Sequence, residues 1–253
     1  MISISIIGYN EERNIGRCLE SCSWADEIVF SDCGSIDKTV EIASKFADKI
    51  LYRPNNPNLN VNKQFSIDNC SGDWILYIDP DEVITEELKN EILSVIKSDN
   101  RLASGYLIPR KNYYFDKFLR FGGKYPDYQL RLFRKGAGRF QCKSVHERIA
   151  ISGIIKKLKS PISHYPYINV ADMMNKSDFY TFMKAEKMFI ERRSPRFILL
   201  RPAFKFIKNY ILKMGFLDGY TGLVTCLMDA HNEFITMLKL KEMYNEKKFL
   251  FKN

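Results

Sequence analysis

The amino-acid sequence predicts an α/β fold: a mainly parallel sheet flanked by helices, followed by a C-terminal helical extension. Three observations predict it. Apolar, β-branched runs at 2–7, 27–32, 50–52 and 74–78 alternate with stretches of helical apolar spacing, the pattern of a parallel sheet built with right-handed crossovers. Polar residues follow three of these runs, at Asn10, Asp32 and Asp79, and parallel strands would line them along one edge, where open α/β sheets hold ligands. The last third becomes helical in its spacing and strongly basic.

Residues 2–7 intersperse serine among isoleucines and stop at Gly8-Tyr9-Asn10, a strand and its turn. A helix from 11–12 then carries Ile15, Cys18, Leu19 and Cys22 at helical spacing. Strand 27–32 ends in Asp32-Cys33-Gly34-Ser35, with Asp37 placed to cap a helix over 38–46. The Pro- and Asn-rich stretch 53–60 is expected as a loop, and 61–70 as a helix closed by Ser71-Gly72.

Strand 74–78 is apolar throughout and runs into Asp79-Pro80-Asp81-Glu82. Pro80 cannot extend a ladder, and unpaired buried carboxylates cost several kcal/mol, so Asp79 and Asp81 should point beyond the sheet edge and require a cation. Carboxylate oxygens suit Mg2+ or Mn2+, which in turn clamp a diphosphate. The competing reading is a solvated acidic turn, with Glu82 and Glu86 decorating the start of the next helix. That helix spans 86–97 and turns Leu88, Ile92, Leu93 and Ile96 inward. Strand 105–109, an aromatic and basic loop or hairpin over 111–123, and strand 129–133 follow, the last just after Tyr125-Pro126-Asp127. Helix 171–191 groups Met173, Phe179, Phe182, Met183 and Phe189 on one face, as core packing.

Composition excludes several classes. No apolar run approaches the roughly eighteen residues of a membrane span, and the chain enters a strand directly from Met1, so a cytoplasmic protein is expected. Six scattered cysteines show no disulfide framework or zinc spacing and read as reduced core thiols. Neither G-x-G-x-x-G after the first strand nor G-x-x-x-x-G-K-[ST] occurs, which disfavours dinucleotide binding and P-loop phosphoryl transfer. The net charge of +9 is uneven: residues 176–253 hold fifteen Lys/Arg against eight Asp/Glu. Within it, 192–213 carries seven Lys/Arg, no acid and many large apolar residues, a composition that lies well on an anionic membrane surface. A solvated helix face is the alternative.

The runs Ile7-Gly8-Tyr9-Asn10-Glu11-Glu12-Arg13-Asn14-Ile15, Asp32-Cys33-Gly34-Ser35-Ile36-Asp37 and Gly72-Asp73-Trp74 through Glu82 together resemble family 2 glycosyltransferases, and more narrowly the bacterial lipopolysaccharide-core glucosyltransferases. The likeness continues through Tyr125 to Arg134, Val145-His146-Glu147, His164 and Gly215-Phe216-Leu217-Asp218-Gly219. Gly8, Cys33, Ile36 and Pro80 depart from residues usual in the family. The resemblance implies a GT-A fold, a UDP-sugar donor, a divalent cation (Mn2+ or Mg2+) and inversion at the anomeric carbon. It places Tyr9, Asn10, Glu11, Asp32 and Lys63 around the nucleotide, Asp79 at ribose or sugar, and Asp81 on the metal, with His164 as a late metal ligand. Asp127 and Glu147 are the two candidate bases; Asp127 is preferred because it precedes a strand that would close the sheet near the donor. The alternative for Glu147 is an ion pair with Arg148 or Arg131. Arg131 and His146 are candidate acceptor or phosphate contacts.

The expected division is a catalytic domain over 1–168, with a nucleotide-sugar half (1–98) and an acceptor half (99–168), then a basic helical extension over 169–253. The expected activity is transfer of a sugar, glucose first, to a lipid-linked glycan such as the lipopolysaccharide inner core, on the inner face of the cytoplasmic membrane. A capsular, exopolysaccharide or protein-linked acceptor is the enzymatic alternative. A basic membrane- or nucleic-acid-binding protein is the non-enzymatic one, and acidic strand ends argue against nucleic acid because they repel phosphates.

Overall fold

The computed structural model describes residues 1–56, 58–98, 103–142 and 148–250. The chain forms two compact units, Met1–Lys111 with Asp127–His164, and Asn112–Pro126 with Tyr165–Asn253. Residues 112–126, expected within the acceptor half, thus group with the C-terminal unit.

The first unit begins β1 (Ile2–Gly8), α1 (Ile15–Glu20), β2 (Glu27–Asp32), α2 (Thr39–Ala43), β3 (Lys49–Tyr52), α3 (Leu59–Asp68) and β4 (Trp74–Ile78). After these come β5 (Glu82–Val83), α4 (Glu86–Lys97) and β6 (Gly105–Tyr114), which leads into β7 (Lys117–Phe118) of the second unit. The first unit resumes with β8 (Asp127–Arg134), β9 (Gly138–Arg139), β10 (Ala150–Ile151), β11 (Ile155–Lys157) and the first half of β12 (Ile162–Tyr167), whose residues from Tyr165 on belong to the second unit. The main sheet runs β3-β2-β1-β4-β8-β6-β12-β5. It is parallel from β3 to β4 and antiparallel where β8 pairs β4 and β6. The chain steps outward from β1 to β3 and then returns to the other side of β1 as β4. That reversal makes the carboxyl ends of β1 and β4 the ligand crevice of an open α/β sheet.

Both faces of the sheet are covered, which explains the serine spacing of β1. Ile2, Ile4 and Ile6 pack with Phe30, Leu76 and Ile78 against Ile15, Cys18 and Leu19 of α1 and Leu88 and Ile92 of α4. Val29, Ile75 and Tyr77 pack on the other face with Ile67 of α3 and Phe133. Each fully buried large aliphatic side chain stabilises by about 1.5–3 kcal/mol. The interior serines cost little because they are paired: Ser5 Oγ meets Ser66 Oγ at 2.8 Å, and the Gly72 amide donates to Ser3 Oγ at 2.7 Å. All six cysteines are free, and only Cys142 is not buried. Burial and the Glu27 charge push the Cys70 thiol up to about 12.

Some expected boundaries move. α1 starts at Ile15 because the preceding residues link loops instead: the Glu11 amide donates to Thr39 Oγ1 at 2.7 Å and the Glu12 amide to Asp37 Oδ2 at 3.2 Å. Asp37 does accept a first-turn amide, that of Thr39 at 3.0 Å, but α2 closes at Ala43 rather than 46. α3 starts two residues early, where the Asn58 side chain accepts the Asn60 amide. β6 continues through Pro109 to Tyr114, since Arg110 pairs Asp127 and the tip folds back on β7 as the expected hairpin. Along β8 the register passes from Tyr106↔Leu132 to Leu107↔Leu130, leaving Arg131 as a bulged residue.

The second unit holds α5 (Val170–Ile190), α6 (Leu200–Phe206), a π-helical turn (Ile207–Leu212), a 3-10 turn (Gly215–Asp218) and α7 (Gly219–Leu250). Ala185 and Met188 pack against Met237 and Leu240. The buried line of α5 is Met173, Ser177, Thr181, Ala185 and Met188, not the expected aromatic face: Phe179 and Phe182 are exposed. The Lys124 ammonium lies 2.9 Å from Asp229, which also accepts Asn209 Nδ2 at 2.8 Å. α6 has no buried residue. Among the described residues no single helix is long and apolar enough to cross a membrane; one pair, Leu200–Leu212 with Gly215–Glu246, bent by 72°, meets the length and composition requirement together.

Candidate active site

The carboxyl end of β4 delivers the acidic triplet as its sequence suggests. Ile78 is the last apolar strand residue, and beyond it Asp79 is held from three sides. Tyr77 Oη donates to Oδ1, Arg131 donates to Oδ2, and Lys63 Nζ lies 3.5 Å from Oδ1. Burial pushes the Asp79 carboxyl upward, but Arg131 and Lys63 outweigh it and hold the group well below the usual carboxylate range. Lys63 also lies 4.9 Å from the Tyr77 ring centroid, so α3 brings its cation onto the strand end.

Asp81 and His164 come together. β12 pairs antiparallel with β5 so that His164 stands opposite Glu82, and His164 Nε2 lies 3.4 Å from Asp81 Oδ2. A carboxylate oxygen beside an imidazole nitrogen is a donor set that fits a divalent ion. Among the described residues no group of three or more His, Cys, Asp or Glu side chains converges on a metal position. Mg2+-like ions commonly take most of their ligands from waters and substrate phosphates.

Asp127 opens β8 rather than preceding it, and pairs across to Arg110. Arg110 donates to its Oδ2 from Nε at 2.9 Å and from a terminal nitrogen at 2.6 Å, while Gln129 Nε2 donates to Oδ1 at 2.7 Å. The carboxylate is thereby fixed in orientation. Arg131, a candidate acceptor or phosphate contact in the sequence, lies at the end of this acidic cluster. It is 5% exposed and bridges Asp79 and Glu82, reaching Glu82 Oε1 at 2.6 Å, so it organises the site from beneath. Burial works against its guanidinium charge, and Asp79 and Glu82 more than offset that.

Of the residues expected around the nucleotide, Tyr9, Asn10 and Glu11 follow β1, Asp32 ends β2 and Lys63 lies on α3. Tyr9 is exposed. Asn10, at φ 56°, accepts the Ile36 amide at 2.9 Å, and its own amide donates to Ser35 Oγ at 2.9 Å. Asp32 is buried and accepts the Gly34 amide at 3.0 Å and the Ser35 amide at 3.1 Å, the work of a turn residue. With Glu11 anchored on Thr39, these contacts fix the shape of the rim. His146 and Glu147 lie outside the described residues.

Two functional-looking residues escaped the sequence reading. Glu82 is fully buried, not a solvated helix decoration; Thr85 caps α4 instead, accepting the Leu88 amide at 3.2 Å. Arg110 falls between the expected strand 105–109 and the expected loop 111–123 and is given no role there. The available signal was the crowding of Glu82 beside two other acids, which demands local cations.

The description of glycosyl transferase family 2 matches residues 3–158. The chain is 25% identical over 252 residues to the lipopolysaccharide core biosynthesis glycosyltransferase LpsC of Rhizobium meliloti (strain 1021), covering 96% of this chain and 93% of that protein. It is 27% identical over 263 residues to an uncharacterized glycosyltransferase of Rickettsia typhi (strain ATCC VR-144 / Wilmington), covering 96% and 87%. Among solved structures, that of S. aureus TarS 1–349 aligns with a TM-score of 0.48 at 13% identity, covering 97% of this chain and 91% of that one. The family match spans the parallel strands, the acidic end of β4 and the β8 carboxylate alike, and the chain belongs to glycosyl transferase family 2.

Proposed function

We propose that this glycosyltransferase is an inverting enzyme that moves a sugar, glucose in the first instance, from a UDP donor to a lipid-linked glycan such as the lipopolysaccharide inner core. The observation that carries the proposal is the Asp81–His164 pair at the carboxyl end of β4, together with the Asp127 carboxylate fixed on β8, the strand next to β4. The relation to LpsC over nearly its whole length supports the acceptor class. Asp81 and His164 would hold Mn2+ or Mg2+, which when bound neutralises the leaving diphosphate. Tyr9, Asn10, Glu11, Asp32 and Lys63 would seat the nucleotide, and Asp79 the ribose or sugar. Asp127 would take the proton of the acceptor hydroxyl as its oxygen attacks the anomeric carbon and the carbon–phosphate-oxygen bond breaks on the opposite face. One displacement inverts the centre. His146 and Glu147 stay in reserve as an acceptor contact and an alternative base.

Thermal unfolding with UDP, GDP, CMP or dTDP, each with and without Mn2+, tests the donor half. UDP at a hundred times its Kd should stabilise by about 2.7 kcal/mol. Asp81→Asn should remove the Mn2+-dependent part of that shift. An equal shift without metal, or one unchanged in the variant, sinks the assignment.

For the setting, we propose the cytoplasmic face of an anionic membrane, met through residues 192–213. Phe197, Leu199, Leu200, Phe204 and Leu212 are 61–73% exposed among seven Lys/Arg. Apolar exposure of this extent with basic neighbours is the make-up of an interfacial helix. The chain should pellet with phosphatidylglycerol vesicles and not with phosphatidylcholine vesicles. Equal recovery with both, or competition by an oligonucleotide, counts against it.

A further inference from the structure

We propose that Glu82 is a positioning residue that ties the donor-side and acceptor-side carboxylates into one rigid piece; this rests on Asp127 being the base. Glu82 is 0% exposed. Its Oε2 accepts the Asp79 amide at 3.0 Å, fixing the backbone where β4 ends. Its Oε1 meets Arg131 at 2.6 Å and Arg110 at 3.7 Å. Each arginine then grips a second carboxylate: Arg131 holds Asp79 and Arg110 holds Asp127. The result is a continuous line of charge, Asp79, Arg131, Glu82, Arg110, Asp127, with Lys63 closing its far end.

The line balances. Three carboxylates face three cations, so no member is left uncompensated away from water. Burial and mutual repulsion both act against the paired guanidiniums, and Glu82 is the carboxylate they share. Neutralising Glu82 would leave two cations facing each other across an amide. Arg110 and Arg131 would then separate, and Asp127 would move relative to Asp79. A misplacement of about 1 Å costs on the order of a hundredfold in rate while leaving the groups present.

The test compares the parent chain, Glu82→Gln, Asp127→Asn and the double variant, with radiolabelled UDP-glucose as donor and inner-core lipopolysaccharide as acceptor. Nucleotide affinity is measured separately by titrating UDP in Mn2+. Glu82→Gln should keep the UDP Kd within about threefold and lose about a hundredfold in kcat. Because it acts through Asp127, the same change should cost little further in the Asp127→Asn background, where positioning the base no longer matters. Undiminished kcat in Glu82→Gln, or an equal loss in both backgrounds, overturns the proposal. If Glu82→Gln fails to fold, Glu82→Asp, which keeps the charge on a shorter arm, replaces it; full kcat in that folded variant also overturns it. No transfer by the parent chain defeats the donor and acceptor reading, and this proposal with it. Full activity in Asp127→Asn defeats the base assignment and this proposal with it, and leaves the donor and acceptor reading standing.

Discussion

Asp127→Asn is expected to leave Mn2+-dependent UDP binding within about threefold and to lower sugar transfer by about 10²–10⁴-fold, the usual contribution of a general base. Asparagine matches aspartate in shape and keeps an oxygen for Arg110 or Gln129, whose donors reach the carboxylate at 2.6–2.9 Å. What it lacks is the capacity to take a proton. The two measurements separate: titration with UDP reads the β4 end, and product formation reads the β8 side. A variant that binds and transfers like the parent would move the base to Glu147.

Arg131→Met should be the most destabilising substitution in the first unit, by about 3–5 kcal/mol, read as a lower urea midpoint with an unchanged slope. Methionine fills a similar volume but carries no charge, so the fully buried Glu82 would lose the nearer of its two guanidiniums and Asp79 would keep only Lys63. The loss exceeds that of a surface ion pair because Glu82 cannot rotate into water without unpacking the strand end. Arg131→Lys should recover only part, since one ammonium lacks the planar fork that serves two carboxylates at once. A loss below about 1 kcal/mol for the methionine variant would show that the site repacks around the missing charge.

The sequence made the parallel half of the sheet legible because each element carried its own local signal. β2, β4 and α4 appear at the residues expected, since apolar runs there end in turn residues or at the Thr85 cap. Asp79 and Asp81 were legible for the same reason: proline and paired acids at a strand end are a local statement. Glu82 was not, because its partners Arg110 and Arg131 come from β6 and β8, and the nearer acids made it look solvated. The aromatic face expected of α5 failed for a related cause. Large apolar residues at helical spacing specify a face, but not which face meets α7, and the small residues Ser177, Thr181 and Ala185 allow the closer approach.

The bulge at Arg131 also governs what the lineage of this chain can change. Because side chains alternate in strict pairs, the extra residue sets the parity of everything before it in β8, placing Asp127 across from Arg110 and Gln129 across from Ile108. Deleting any one residue between Tyr128 and Arg131 would abolish the bulge: the ladder could close with Asp127 still across from Arg110, while Arg131 is either removed or drawn into regular pairing. Point substitutions in this strand can be graded and compensated, whereas loss of one residue removes the offset from which Arg131 reaches both Asp79 and Glu82.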